Sequence, residues 1–249
     1  PDAKGKRFGD WIQDVDPKII DRNDPDCVWR TRQKPFYQYD ETSGRPRSKW
    51  GKVKGYTEVV DLWSPVRSVL VLIKLLLPLR TFQTRMLDSG EADTFRYVKG
   101  EWTLNKSPLA MGTPKRPVQN GVFHREIDTR DNSYCTGFYI NTNKTADINN
   151  EEDGGYVIPW QNEEALYWLE KLRNWQEKYN PISSPVPWTN MIEKHFGRVR
   201  PHEDILRRRG TSCFLFRDAA SDDPDLRNLP VTGAHIYRLW YQLLLELEN

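Results

Sequence analysis

Cysteine is scarce in this sequence, and the few cysteines present lie far apart. There are three among 249 residues, Cys27, Cys135 and Cys213. They form no CxxC pair, so the sequence indicates neither a zinc site nor a disulfide framework. Reduced thiols in a cytoplasmic protein are the simplest interpretation.

A strong net charge and a long hydrophobic segment are also missing. The 37 basic and 35 acidic side chains give a formal net charge of +2, which neither favours nor excludes nucleic acid as a partner. The longest apolar run, Val66 to Leu79, is interrupted by Arg67 and Lys74 and is too short to span a bilayer. Because no signal peptide opens the sequence, we expect a cytosolic protein with no membrane partner.

The sequence begins at Pro1 rather than at a methionine, and its last residues have the pattern of an unfinished helix. We therefore expect a fragment of a longer protein. A chain of this length can hold one large domain, or one domain with an extension.

Residues 1–58 are polar and mixed in charge, and we expect them to form an extension or linker before a domain at residues 59–249. Basic and aromatic side chains are interleaved in the second half of this segment, where Lys52 and Lys54 follow Trp50. Such interleaving can grip a nucleic-acid backbone. A solvated, irregular extension packed against the core is an equally good interpretation.

Helical and strand-like patterns follow this segment. Ser64 and Pro65 are typical of a helix start, and Pro78 is expected to break that helix just before Arg80. A second helical stretch continues to Asp88. The later pattern predicts strands at 95–98, 102–104, 122–128, 134–142 and 155–160, and helices at 162–179, 189–197 and 231–248. A helix, then a small sheet, then further helices favours an α+β domain.

Arg80 is the residue that is most informative about function. It follows an apolar helix, and arginine in apolar surroundings needs an anionic partner. A guanidinium can clamp a carboxylate or a phosphate with two parallel hydrogen bonds. We therefore expect Arg80 either to pair with an internal acid, Asp88 or Glu91, or to bind a phosphate from outside. These acids and Asp93 could form the carboxylate set of a metal nuclease, although exposed turn acids are the simpler interpretation.

Three phrases occur in a characteristic order, and an amphipathic helix follows them. They are Leu77-Pro78-Leu79-Arg80, Asn143-Lys144-Thr145 and Tyr156-Val157-Ile158-Pro159-Trp160. In this order and spacing, residues 60–249 resemble the catalytic domain of the tyrosine recombinase (phage integrase) family. In that family a "TGLR" turn supplies a phosphate-binding arginine, and a β-hairpin supplies a lysine in a "TKT" phrase. The resemblance implies an α+β fold that is mainly helical, with a small antiparallel sheet.

The resemblance also implies a chemistry and a partner. A tyrosine oxygen attacks a phosphodiester of double-stranded DNA, which forms a 3′-phosphotyrosine and releases a 5′-hydroxyl. Arg80 would stabilise the charge on the non-bridging oxygens, and Lys144 would protonate the leaving oxygen. No metal or other cofactor is required. A homotetramer on DNA is implied by the family alone.

The sequence departs from the family pattern in two places. Three residues after Arg80, where the family usually has an acid, stands Gln83, which can orient the guanidinium but adds no charge. The family's second arginine belongs to an HxxR phrase, and the spacing occurs here from His235 to Arg238. Tyr241 is too close to that phrase to be the nucleophile, so an exposed helix face preceding the true phrase is the alternative. The chain is expected to be catalytically incomplete.

Other basic residues are candidates for contacts with the DNA backbone. They are Arg85, Lys52, Lys54, Arg207, Arg208 and Arg209. For the arginine run, a solvated face is the simpler interpretation. The sequence thus predicts a fragment of a site-specific recombinase or integrase of a mobile element. The alternatives are a non-catalytic DNA-binding protein with the same fold, and an unrelated α+β domain whose arginine is structural.

Overall fold

The computed structural model describes residues 10–38, 52–127, 133–142, 154–197 and 199–248. The fold is α+β, with 33% of the residues in helices and 28% in strands. The expectation of a mainly helical domain with one small sheet is wrong, because strands are nearly as abundant as helices and form several separate sheets. Among the residues described, no helix is long and apolar enough to cross a bilayer.

A three-stranded antiparallel sheet lies at the start of the described chain. Its strands are β1 (Trp11–Val15), β2 (Trp29–Gln38) and β3 (Lys52–Trp63), in the order β1-β3-β2. The expectation of an irregular extension is therefore corrected for these residues. Strand β3 also runs across residue 58, where the sequence suggested a boundary.

The basic side chains of β2 meet carboxylates of the same sheet. Asp61 of β3 is fully buried, and it accepts hydrogen bonds from Arg30 at 3.1 Å and from Arg32 at 3.0 Å. Arg32 and Lys34 also bind Asp14 of β1. Burial alone would raise the pKa of Asp61, but the hydrogen bonds from the arginines and the backbone outweigh it and hold that pKa below its ordinary value. These three cations are thus engaged within the sheet.

Two helices follow the sheet, α1 (Val66–Leu76) and α2 (Thr81–Arg85). Helix α1 begins directly after Pro65. It ends because Leu77 is extended, with φ −122° and ψ 133°, as residues before a proline usually are. Helix α2 is shorter than the predicted stretch to Asp88, since the chain leaves the helical conformation at Met86.

Two short hairpins come next. The first pairs β4 (Phe95–Val98) with β5 (Glu101–Leu104), and the second pairs β6 (Gly112–Thr113) with β7 (Arg116–Pro117). Between β4 and β5, Lys99 and Gly100 have φ of 49° and 91°. Two consecutive residues with positive φ match the right-handed twist of a two-residue hairpin.

A second three-stranded sheet contains the strands predicted farther along the chain. Its members are β8 (Phe123–Ile127), β9 (Tyr134–Ile140) and β10 (Tyr156–Ile158), in the order β10-β9-β8. All neighbours in this sheet are antiparallel. Residues 143–153, which connect β9 to β10, lie outside the described residues.

The long helix α3 (Glu163–Tyr179) confirms the predicted amphipathic helix, and the side chain of Asn162 caps it by accepting the Ala165 N–H at 3.0 Å. The remaining elements are β11 (Val186–Pro187), α4 (Glu193–Phe196), α5 (Glu203–Arg208), β12 (Thr211–Ser212) and α6 (Gly233–Glu248). The helix predicted for 189–197 is therefore reduced to one turn of α4.

The main hydrophobic core joins α1, α3 and the second sheet. Leu70 and Ile73 of α1, Leu169 of α3 and Phe138 of β9 are all fully buried in one cluster. A smaller cluster forms around Met86, Trp188 and Leu229. The short segment 214–216 contributes to both clusters, so it links the two parts of the core.

A buried ion pair fixes this segment against the loop after α2. Arg217 is fully buried, and its two terminal nitrogens bind the Glu91 carboxylate at 2.6 Å and 3.1 Å. The Ser89 hydroxyl donates to the same carboxylate at 2.6 Å, and Arg217 also donates to the carbonyl of Asn180 at the end of α3. Three segments distant in sequence therefore meet at one bidentate contact.

We expect Glu91→Gln to lower the free energy of unfolding by about 3 kcal/mol, because it leaves the Arg217 charge buried without a counter-charge. Glu177→Gln is the matched control, since Glu177 pairs with Arg96 in a partly exposed position and the loss should be about 1 kcal/mol or less. Urea unfolding of both variants measures the difference. Equal losses of unfolding free energy in the two variants would show that the buried Glu91–Arg217 pair matters no more to stability than the partly exposed Glu177–Arg96 pair.

Candidate functional site

Arg80 lies in an exposed turn between α1 and α2. The flanking Leu77 and Leu79 are buried, with 0% and 6% of their surfaces exposed, whereas Pro78 and Arg80 face solvent. Arg80 has an extended backbone, with φ −68° and ψ 147°, and directly precedes the first residue of α2. The premise that Arg80 stands in apolar surroundings is therefore corrected. The buried leucines anchor the turn and leave the guanidinium outside.

The acids proposed as internal partners of Arg80 are engaged elsewhere. The Asp88 carboxylate accepts the N–H groups of Gly90 and Cys213, both at 2.8 Å, and Glu91 binds Arg217. Within the described ranges, the Arg80 side chain contacts no carboxylate. The structural alternative, in which Arg80 pairs with Asp88 or Glu91, is contradicted by these contacts.

The carboxylates of Asp88, Glu91 and Asp93 are also not arranged to bind a metal ion. Asp93 accepts the N–H groups of Asn120 and Gly121 at 2.8 Å and 2.9 Å. Burial raises the pKa of Asp88 to about 7 and that of Asp93 to about 6. No group of three or more potential metal ligands occurs in the described part of the chain. These carboxylates organise the loop through backbone hydrogen bonds.

Gln83 joins the Arg80 turn to the base of the β9–β10 hairpin. Its Oε1 accepts the Arg80 N–H at 3.1 Å, while its Nε2 donates to the Thr142 carbonyl at 3.0 Å and contacts the Tyr156 hydroxyl at 3.3 Å. Asn141 adds a bond to the Met86 carbonyl at 2.6 Å. Gln83, which stands where the family usually has an acid, thus contacts the chain just after β9 and at the start of β10.

Lys144, the predicted proton donor, lies outside the described residues. It follows Thr142 by two positions, and Thr142 is fixed to Gln83. The fold therefore brings the chain that carries Lys144 to the turn that carries Arg80.

Lys74 belongs to the same neighbourhood, although in the sequence it is only an interruption of an apolar run. It occupies the last turn of α1, and its Nζ donates to the Thr81 hydroxyl at 2.5 Å. Partial burial lowers its pKa. The signal in the sequence was a lysine within an apolar helix that ends at a candidate anion-binding arginine.

Arg85 is not available for the DNA contact predicted for it. Its surface is 3% exposed, its guanidinium binds the His195 carbonyl, and it lies 5.7 Å from the ring centre of Phe82. Burial lowers the pKa of Arg85 to about 10. In this fold Arg85 ties α2 to α4.

The remaining residues that were predicted to contact the DNA backbone differ in their surroundings. Arg207 and Arg208 are exposed at the end of α5, and Arg207 has acidic neighbours in the same helix at 3.7 Å and 3.9 Å. Arg209 lies over the Trp188 ring at 4.9 Å. Lys52 and Lys54 belong to β3, but their side chains are outside the described part of the structure. A DNA contact by these residues stays a prediction.

His235 and Arg238 line a cavity of about 410 Å³ together with Arg67 and Lys194. His235 Nδ1 lies 3.1 Å from Arg67 Nη2 and 3.4 Å from Asp218 Oδ2. Burial would raise the pKa of Asp218, but the hydrogen bond with His235 and the Arg67 charge hold it below its ordinary value. Arg67 is at the start of α1 and Arg80 follows its end, so the arginine that His235 contacts is not Arg80.

The comparison with known families defines the class of protein. A family model described as "Putative integrase" matches residues 1–189, which include the Arg80 turn, the hairpin and α3. The chain therefore belongs to this integrase family. The match ends before α4, so His235 and Arg238 lie beyond it. No curated protein and no solved structure matches the chain.

We expect Gln83→Leu to loosen the base of the hairpin, because it leaves the Thr142 carbonyl without its donor in a buried place. The unfolding free energy should fall by about 1–2 kcal/mol, and amide exchange should rise near Thr142 and Tyr156. Thr84→Val is the control, since it removes a hydrogen bond to the Arg80 carbonyl and none to the hairpin. Faster exchange at the hairpin in both variants would contradict the assigned link.

We expect the His195 imidazole to titrate far below an ordinary histidine. Burial lowers its pKa to about 4, and its Nδ1 accepts the Ile192 N–H. Since the unfolded pKa is about 6.5, this residue contributes stability that is complete above pH 6.5 and is lost as the pH falls towards 4, by up to about 3 kcal/mol. An NMR titration reports the pKa, and His195→Gln should flatten stability over this pH range. His202→Gln, at an exposed position, is the control.

Proposed function

We propose that this integrase acts on double-stranded DNA by the tyrosine recombinase mechanism, with Arg80 binding the scissile phosphate and Lys144 protonating the leaving 5′-oxygen. The observation that carries the proposal is the set of hydrogen bonds made by the Gln83 side chain. It contacts the Arg80 turn and also Thr142 and Tyr156, which precede and follow Lys144 in the chain. Phosphoryl transfer of this kind needs an anion clamp and a proton donor on the same phosphate.

The surroundings of Arg80 suit an external phosphate. The guanidinium is exposed and contacts no carboxylate among the described residues, so its donors remain available for a non-bridging oxygen pair. Three buried or partly buried arginines of the fold differ in this respect. Arg217, Arg67 and Arg32 each bind a carboxylate.

Lys144 would act from the connection between β9 and β10. When the nucleophile attacks phosphorus, the bond to the 5′-oxygen breaks and that oxygen needs a proton. A lysine ammonium can donate it, after which the amine recovers a proton from solvent. Anchoring of the hairpin by Gln83 supports this role because it keeps the proton donor near the phosphate.

The second arginine and the tyrosine nucleophile are not assigned to any described residue. His235, the first residue of the HxxR spacing, contacts Arg67 and Asp218. The alternative function is a DNA-binding protein of this family without cleavage activity. A homotetramer on DNA and a division of the chain near residue 58 remain predictions.

We expect Arg80→Ala to weaken binding to a fluorescent 30-base-pair duplex and to reduce the slope of log affinity against log salt by about 1, because one phosphate contact is lost. Arg116→Ala is the control, since it removes an exposed arginine from the β6–β7 hairpin. Fluorescence anisotropy at several salt concentrations measures both variants. If Arg80→Ala keeps the slope of the unmodified protein, Arg80 is not a phosphate contact.

The same proteins separate catalysis from binding alone. A nicked duplex that traps cleavage products would give a covalent protein–DNA adduct, visible on a denaturing gel, if the chain supplies a nucleophile. Since no nucleophile is assigned among the described residues, we expect binding with the Arg80 dependence and no adduct, and an adduct would show that the chain supplies a nucleophile after all.

A further inference from the structure

Lys74 and Arg80 are two cations held at one turn of the chain. Lys74 projects from the last turn of α1, and its ammonium binds Thr81, the residue that directly follows Arg80. The buried Leu77 and Leu79 fix the backbone between them. The Lys74 ammonium is therefore placed beside the Arg80 turn by a contact that spans the whole loop.

This pair of cations has no counter-charge in the described part of the chain. Neither Lys74 nor Arg80 contacts a carboxylate there, whereas the cations Arg30 and Arg217 do. Partial burial lowers the pKa of Lys74, so its charge is costly without an anionic partner. An anion that binds both side chains would offset this cost.

The Thr81 hydroxyl orients the ammonium without neutralising it. An ammonium has three N–H donors, and Thr81 occupies one of them, so the other two remain for a ligand. Lysine binds phosphate as a point charge, which complements the two-pronged contact that a guanidinium can make. The two side chains can thus approach different oxygens of one phosphate group.

We propose that Lys74 is a second phosphate contact of the Arg80 site and binds a non-bridging oxygen of the same DNA phosphodiester. This inference rests on the proposed function of Arg80. It adds Lys74, for which the sequence alone predicts no contact with DNA. The competing role is structural, in which Lys74 only ties the end of α1 to the start of α2 through Thr81.

Two substitutions separate these roles. Lys74→Met and Thr81→Val both remove the hydrogen bond between the two side chains, but only Lys74→Met removes the charge. Each variant is measured by fluorescence anisotropy with the fluorescent 30-base-pair duplex at several salt concentrations, alongside Lys74→Arg and Arg80→Ala. Urea unfolding of each variant verifies that the fold is kept.

We expect Lys74→Met to reduce the salt slope by about 1 and to weaken binding by about fivefold to tenfold at 0.1 M salt, as loss of one phosphate contact does. Thr81→Val should keep the slope of the unmodified protein, and Lys74→Arg should restore most of the affinity because the charge is kept.

A Lys74→Met slope equal to that of Thr81→Val, with both variants losing stability equally, would overturn the inference in favour of the structural role. If Arg80→Ala lowers the slope in the same series, the proposed function stands and only the Lys74 assignment fails. If Arg80→Ala also leaves the slope unchanged, the phosphate site itself fails, and the inference fails with it.

Discussion

The buried contact between Glu91 and Arg217 is the constraint on which the rest of the fold depends. It connects the loop after α2, the segment that links the two hydrophobic clusters, and the end of α3. A buried ion pair offers little net stability compared with apolar packing, but an unpaired charge there is costly. The pair therefore favours one arrangement of these segments over others. Since α2 enters that loop directly, the orientation of the Arg80 turn depends on the same contact.

The site is built from segments that are short and distant in sequence. Helix α2 has five residues, too few to be stable alone, and it is held by Gln83 on the hairpin side and by Arg85 on the α4 side. Its exposed turn is consequently fixed by tertiary contacts rather than by helix propensity. This arrangement places a solvent-facing guanidinium on a rigid support, which is what an anion clamp requires.

Local patterns predicted the elements whose signals are complete within a few residues. The break at Pro78, the strand at 95–98 and the apolar spacing of α3 each appear in the sequence and in the structure. The first sheet was missed because cations rather than apolar residues alternate along β2, and their partner Asp61 lies about thirty positions away. The burial of Arg85 was missed because its partner, the His195 carbonyl, can be found only in the folded chain.

The attachment of Thr142 and Tyr156 to Gln83 has a consequence for sequence variation in this part of the chain. Because one amide side chain and the β9–β10 pairing hold these two residues, their separation is set by contacts outside the connection between the strands. Each doubling of the length of a flexible connection costs only about 0.6 kcal/mol in closure entropy. Insertions between the two strands should therefore leave the Arg80 turn in place.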